Sequence, residues 1–258
     1  MKKITIVRPK DRIEESVKIV EAYGFEAVVA PMIEIVERND PEFHVFLNRL
    51  MDDAVDYVIF TSVNGVKFSL KKVEDEAGFI ERMNRLKIIA IGRPTKLFLE
   101  ERGMAVDIVP EDFSSSGIVT ELSKKEIKGK KIEVLRSSHG SKILIDKLKD
   151  LGANVHEVQV YSITMAGDLF RQKKMIESAV KGEVDIFTFT SRMTVLNFLK
   201  VADETGLRKE IIDVMNKKVV SAIGSPTKET LEENGIRVDF VPDEFTFEAM
   251  IRGIKTIC

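Results

Sequence analysis

The chain has 258 residues, 44% apolar and 32% charged, and its 40 basic and 42 acidic side chains leave a net charge of −2. That balance fits a globular protein and, with no long basic run, speaks against a nucleic-acid or membrane-surface partner. A single cysteine, Cys258, and three scattered histidines, His44, His139 and His156, exclude a disulfide framework and give no metal-ligand spacing.

No 18-residue apolar span is present, and the opening MKKITIVRPKDRIEE turns charged after four apolar residues, so a soluble, cytoplasmic protein is expected. Taken in chain order, 4–7 is a short apolar run of the kind buried in a parallel sheet. Ile13, Val17 and Val20 then fall at helical spacing, and Gly24 is placed to end that helix. A strand at 27–30 is followed by a helix that Asn39-Asp40-Pro41 opens and that carries Phe43, Phe46, Leu47 and Leu50. Next come a strand at 56–60, a helix after Asn64-Gly65 and a strand at 88–91. Pro94 sits where the first turn of a helix tolerates proline, and that helix ends at Gly103. A strand at 106–109 stops at Pro110, and a helix opens in Ser114-Ser115-Ser116.

The second half repeats this order: strand 132–135, helix to Gly152, strand 155–160, helix from Asp168, strand 185–189, helix 194–202, strand 219–223, helix to Gly235, strand 238–241 and a final helix. The repetition is one of residues as well as pattern. Segments 87–113 and 219–245 align without a gap at a shift of 132 and share 15 of 27 residues, where ordinary usage gives about two. Segments 55–70 and 184–199 match at a shift of 129, and the strands at 4–8 and 132–136 are each followed by a glycine, Gly24 and Gly152. Two copies are too few for a solenoid. Strict alternation of strand and helix predicts α/β architecture: two parallel-sheet, flavodoxin-like lobes, pseudo-duplicated, with ligands bound where loops gather after the strands.

Four such strand ends are rich in small and hydroxyl residues: Thr61-Ser62-Val63-Asn64-Gly65, Gly92-Arg93-Pro94-Thr95, Thr190-Ser191-Arg192-Met193-Thr194 and Gly224-Ser225-Pro226-Thr227. Each opens a helix, so each offers backbone N–H groups and the positive end of a helix dipole to an anion. Helix capping alone explains any one of them. Four in two symmetric pairs point to a shared anionic ligand. No GxGxxG follows a strand, Ser137-Ser138-His139-Gly140-Ser141-Lys142 lacks the spacing of a phosphate loop, and no GxSxG elbow is present. Hydroxyls and amides without metal or cofactor suit an enzyme that positions a reactive substrate.

The FTSVNGV segment at 60–66, the two IGxPT blocks, the stretch LRSSHGSKILIDKLKDLGANVHEVQVY at 135–161, the closing FTFEAMIRGI at 245–254 and the opening VRP at 7–9 together resemble uroporphyrinogen-III synthase over nearly the whole chain. The resemblance implies a discontinuous lobe, 1–36 plus 164–258, an inserted lobe, 41–160, and linkers at 37–40 and 161–163. It implies cyclisation of hydroxymethylbilane, a linear tetrapyrrole with eight carboxylates, to uroporphyrinogen III with loss of water and inversion of the last pyrrole. It also implies a monomer with no cofactor. Tyr161 matches the family's proposed proton donor. Substrate contacts carried over are Arg8, Pro9, Ser62, Val63, Asn64, Gly65, Gly92, Thr95, Ser115, Arg136, Ser191, Gly224 and Thr227. Two departures stand out: Arg192 and Met193 replace the family's usual proline and serine, and Ser141-Lys142 replaces its usual Gly-Arg. A non-catalytic two-lobed anion-binding or sensor module is the alternative. A receiver-like module is disfavoured because Arg8-Pro9 stand where an acidic pair should end the first strand.

Overall fold

The computed structural model describes residues 1–258 and divides them into two compact units, 1–34 with 164–258 and 35–163. The first half of the chain supplies β1 (Lys3–Ile6), α1 (Ile13–Ala22), β2 (Glu26–Val29), β3 (Ile33–Glu37), α2 (Pro41–Met51), β4 (Tyr57–Phe60), α3 (Val63–Lys71), α4 (Glu76–Met83), β5 (Lys87–Ala90), α5 (Arg93–Glu100) and α6 (Ser115–Ser123). The second supplies β6 (Lys131–Ser137), α7 (Ile143–Asp150), β7 (Asn154–Met165), α8 (Leu169–Val180), β8 (Ile186–Phe189), α9 (Arg192–Glu204), α10 (Arg208–Met215), β9 (Val219–Ala222), α11 (Ser225–Glu233) and α12 (Phe247–Ile257). No helix is long and apolar enough to cross a membrane.

One sheet has the order β2-β1-β8-β9 and the other β3-β7-β6-β4-β5. The registered pairs β1–β2, β1–β8, β4–β5, β4–β6, β6–β7 and β8–β9 are all parallel. Each sheet therefore joins strands from both halves of the chain. Isolated parallel bridges, Ser221 to Phe240 and Ile89 to Ile108, add a fifth position beyond β9 and a sixth beyond β5. The unit with β1 thus takes the flavodoxin-like order 2-1-3-4-5, and in the other β7-β6-β4-β5 and the bridge form its circular permutation, with β3 added beside β7.

Burial on both faces accounts for the strand sequences. In one unit Val58, Phe60, Ile88 and Ala90 pack into one core while Ile59, Ile89, Ile132 and Val134 pack into another. In the other, Phe187, Phe189, Val220 and Ala222 face one core and Ile4, Ile6 and Ile186 the opposite one. This period of two, with both sets apolar, is what a parallel sheet covered by helices requires. Gly24 and Gly152 end α1 and α7 in matching left-handed conformations, φ 79° and 85°, where a β-carbon would be strained.

Three features differ from the sequence expectation. The runs at 106–109 and 238–241 are not strands. The carboxylates of Asp107 and Asp239 accept the N–H groups of Ile88 and Val220, leaving only the single bridges beyond them. Helices α4 and α10, each only eight residues long, and strand β3 are additional to the expected elements. Strand β7 runs on past the expected end at 160 through 161–163, so the residues expected as a linker are extended β-structure.

A polar cluster ties α2 to the sheet. Glu133 of β6 is buried, receives Arg49 of α2 at 3.0 Å and bonds His156 Nδ1 of β7, while His156 Nε2 meets Glu42 at 2.5 Å. The bond to Glu133 raises the His156 pKa above its ordinary 6.5, opposed by burial and aided by Glu42. A raised folded-state pKa gives stability that is complete below the unfolded value and fades as pH climbs through the folded one. Thermal unfolding measured from about pH 6 to about pH 9 should show wild type losing its margin over His156→Gln as pH rises. Parallel pH dependence of the two proteins would contradict this.

Candidate functional site at the strand ends

In a 2-1-3-4-5 sheet the ligand crevice lies beyond the carboxyl ends of the strands where the order reverses. In the unit formed by 35–163 that place is the end of β6 and β4, and in the other unit it is the end of β1 and β8.

Ser137 ends β6 and Ser138 follows it, and Thr61 and Ser62 follow β4. Beside them β7 carries a register shift: Arg136 pairs with Gln159, but Ser137 pairs with Tyr161. The extra residue is Val160. It lets two successive residues, Val160 and Tyr161, face the same core, which an unbroken strand forbids. The bulge thus turns the Tyr161 ring in against Phe68, with centroids 5.7 Å apart and planes 19° from parallel. The Tyr161 hydroxyl lies 2.9 Å from Ser62 Oγ.

Ser62 Oγ also accepts the Gly65 N–H at 3.0 Å as the N-cap of α3. Ser62 keeps its proton and a second lone pair, so the bond to Tyr161 can run in either direction; with serine as the donor, the phenolic proton is left for a substrate. Tyr161 is only 6% exposed. Burial pushes its pKa above the ordinary 10.0, partly offset by Ser62 and Ser137. The phenol therefore keeps its proton throughout the neutral range. Around it, Ser138 N–H donates to Tyr161 O at 2.9 Å, and the Ser138 and Ser162 hydroxyls lie 2.9 Å apart.

The four helix starts divide into two kinds. Ser62 and Ser191 are self-caps: Ser191 forms a capping box with Thr194, each side chain accepting the other's N–H at 3.2 Å. Gly92 and Gly224 cap α5 and α11 without any side-chain bond. Thr95 and Thr227, both 3% exposed, stand at the third position of those helices. No side-chain acceptor takes the leading amides there; Pro94 and Pro226 have no N–H and Thr227 N–H bonds Gly224 O at 3.1 Å, so α5 offers the N–H groups of Arg93 and Thr95 and α11 that of Ser225 to an anion.

Val63 and Asn64 occupy the half-buried first turn of α3, and Ser115 begins α6 after the Ser114 cap. At Gly65 a β-carbon would come within 3.0 Å of Leu135 O, so glycine lets α3 approach β6. Arg8 and Pro9 follow β1; the Arg8 guanidinium donates to Ser16 at 2.8 Å and lies 4.7 Å from the Phe247 ring centre. Arg136 is buried, bound to Glu157 at 2.8 Å and Ser141 O at 2.6 Å. Its donors are turned into the scaffold, so its visible role is to hold the turn after β6. Arg192 reaches Thr230 of α11 at 3.1 Å.

Within the 35–163 unit the fold thus collects Ser62, Val63, Asn64, Gly65 and Tyr161 around one contact, with Gly92 and Thr95 on the adjacent strand end. The other unit collects Arg8, Pro9, Ser191, Gly224 and Thr227 at its own strand ends. The hydroxyls of Ser137, Ser138 and Ser162 were not among the sequence candidates. Their signal was the Ser137-Ser138 pair after a strand, weighed only as a phosphate loop. No group of three or more His, Cys, Asp or Glu side chains is placed to hold a metal ion.

Parallel α/β units with hydroxyl-lined strand ends define a small-ligand α/β protein, and the comparisons narrow that class. The uroporphyrinogen-III synthase HemD family model matches residues 14–252, and the chain belongs to that family. A putative uroporphyrinogen-III synthase of Methanothermobacter thermautotrophicus is 33% identical over 97% of this chain and 96% of its own. The uroporphyrinogen-III synthase of Chlorobaculum parvum is 27% identical over 98% of each. A mutant uroporphyrinogen III synthase from the extremely thermophilic bacterium Thermus thermophilus has the same fold at TM-score 0.71 and 20% identity, covering 99% of this chain and 98% of that one. The uroporphyrinogen-III synthetase of Helicobacter pylori matches at TM-score 0.65 and 18% identity over the full length of both.

Tyr161→Phe deletes one hydroxyl and keeps the stacked ring. Its thermal unfolding should therefore stay within about 1 kcal/mol of wild type, the worth of one hydrogen bond. If Tyr161 is the acid, turnover should fall measurably, by up to about 100-fold, the low end for a lost acid. A wild-type rate in the variant would remove Tyr161 from the chemistry.

Proposed function

We propose that this chain is a cofactor-free lyase that cyclises hydroxymethylbilane to uroporphyrinogen III with loss of water and inversion of the last pyrrole. The observation that carries the reading is the Ser62–Tyr161 pair, set by the β7 bulge at a strand-order reversal, in a chain of the uroporphyrinogen-III synthase family. Nothing observed favours the non-catalytic binding module.

The terminal hydroxymethyl group leaves as water once protonated. Tyr161 donates that proton, and Ser62, itself fixed by the Gly65 amide, orients the phenol. The pyrrole nitrogen's lone pair expels the leaving group and spreads the resulting positive charge, so a strong acid is unnecessary. For the last ring to invert, its substituted α-carbon first bonds the cationic carbon, its bond to the neighbouring methylene breaks, and that methylene bonds its free α-carbon; the proton lost there returns to solvent or to the phenolate, and water is the only by-product. Hydroxyls and the amides at Gly92 and Gly224 receive carboxylates, because a protein of net charge −2 has no bulk attraction for a polyanion. We assign the enzyme a monomeric state and the cytoplasm.

The decisive assay mixes the protein with hydroxymethylbilane and separates the isomers. The type III product above the spontaneous type I background is expected, and it should survive exhaustive chelation and dialysis. Only type I product would overturn the reading. Thr95→Ala and Thr227→Ala should each lower the type III fraction, because poorly held substrate closes unaided in solution. Unchanged isomer ratios in both variants would place carboxylate reception elsewhere.

A further inference from the structure

Two exposed aromatic rings are left unused by the chemistry above, and they are each other's equivalents in the duplication. Phe113 and Phe245 are separated by the same shift of 132 that aligns the repeated blocks. They are 53% and 74% exposed, although nearly every other phenylalanine in the chain is buried or half-buried. Each immediately precedes the N-cap of a helix, Ser114 for α6 and Thr246 for α12. An apolar residue at that position ordinarily folds down onto the helix. Here neither ring joins a core cluster.

Each ring lies instead against the glycine that starts an uncapped helix. A β-carbon on Gly92 would lie 3.4 Å from Phe113 Cβ and Cγ, and one on Gly224 would lie 3.3 Å from Phe245 Cδ1. Both glycines have extended backbones, φ −169° and −177°, which any residue adopts. Their backbone conformation does not call for glycine. The close approach of the ring is what a side chain there would disturb. In both units the result is an aromatic face beside a glycine-started helix and its buried threonine.

That combination matches a ligand with an aromatic ring carrying a carboxylate, and resting on the substrate reading above, we infer that Phe113 and Phe245 each take the face of one pyrrole ring whose carboxylate is received at Gly92 or Gly224. Aromatic pairs add specific attraction beyond the apolar area they bury, and the phenylalanines would supply the apolar half of a site otherwise made of hydroxyls and amides. They are binding residues that fix ring position and take no part in proton transfer.

The test compares Phe113 and Phe245 changed singly to Ala, Leu and Tyr, with Phe170→Ala as a control. Phe170 is 78% exposed at the start of α8 and, unlike Phe113 and Phe245, lies against no glycine that opens a helix. Ala and Leu should raise KM for hydroxymethylbilane by about threefold to tenfold, with a smaller change in kcat. Tyr should restore wild-type KM, the control should match wild type, and unfolding temperatures should be unchanged because the rings support no core. Binding of uroporphyrin III, read by its fluorescence, should weaken in the same order and gives a readout independent of turnover. Unchanged KM and porphyrin affinity in both Ala variants would overturn the inference, as would Leu performing as well as Phe. A wild-type protein that yields no type III isomer defeats the parent reading. The porphyrin affinities still decide this one.

Discussion

The structure depends on two carboxylates that close the seams between the halves of the chain. Each sheet is assembled from strands far apart in sequence, β4 against β6 and β8 against β1. At the start of each seam an aspartate just before the strand accepts a backbone N–H from its neighbour. Asp56 takes Lys131 N–H at 2.8 Å, and Asp185 takes Lys3 N–H at 3.0 Å. Lysines complete both: Lys130 on Asp56 at 3.0 Å and Lys218 on Asp185 at 2.8 Å. Burial pushes the Asp56 carboxyl upward, but the Lys131 amide and Lys130 outweigh it and hold the group below its usual range. Lys218, then the Lys3 amide, do the same for Asp185. A one-residue slip at either seam would carry every apolar side chain of a strand to the wrong face. These bonds set the register at the very place where the strand order reverses.

The site follows from that register. With β4 and β6 fixed side by side, Ser62 and Ser137 leave their strands as neighbours, and β7 must place a hydroxyl between them. A regular strand could not do so, because Val158 and Val160 already face this core and Tyr161 would point away. The bulge resolves the conflict by spending one residue out of register. Its neighbours hold the distortion: Ser138 N–H bonds Tyr161 O, and Arg136, clamped by Glu157 and Ser141, fixes the turn opposite. Arg136 thereby acts on the site through backbone geometry.

Architecture was largely legible in the sequence because it rests on periodicity and duplication, both local and visible in one chain. The apolar runs at β1, β4, β8 and β9, Gly24 and Gly152, and the paired IGxPT turns read directly. What stayed hidden depends on tertiary partners. The run at 106–109 has a strand's composition, yet Asp107 caps the ladder after one bridge. Ser137 and Ser138 look like a phosphate loop until Tyr161 and Ser162 are seen to engage them. Tyr161 came from resemblance alone. A bulge is a register error between two strands, and no spacing in one strand records it. Ser62 and Thr95 looked alike as helix-opening hydroxyls, but the first caps its own helix while the second follows a glycine that cannot.

That last distinction bears on what the protein must supply. Hydroxymethylbilane is activated by its own pyrrole nitrogens, so the proposed reaction asks less for rate than for control over which carbon closes the ring. Control is positional, and position comes best from groups that are already ordered before substrate arrives. Amides at a glycine-capped helix start meet that need: the helix holds them, no side-chain entropy is lost on binding, and the helix start as a whole favours an anion by about 0.3–1 kcal/mol without carrying net charge. Lysines would bind the carboxylates more strongly but as mobile point charges, with little say over orientation. A buried phenol serves the same end. Its raised pKa keeps it a neutral donor at one fixed point, so in the proposed reaction the leaving group would depart where the strand bulge holds that proton.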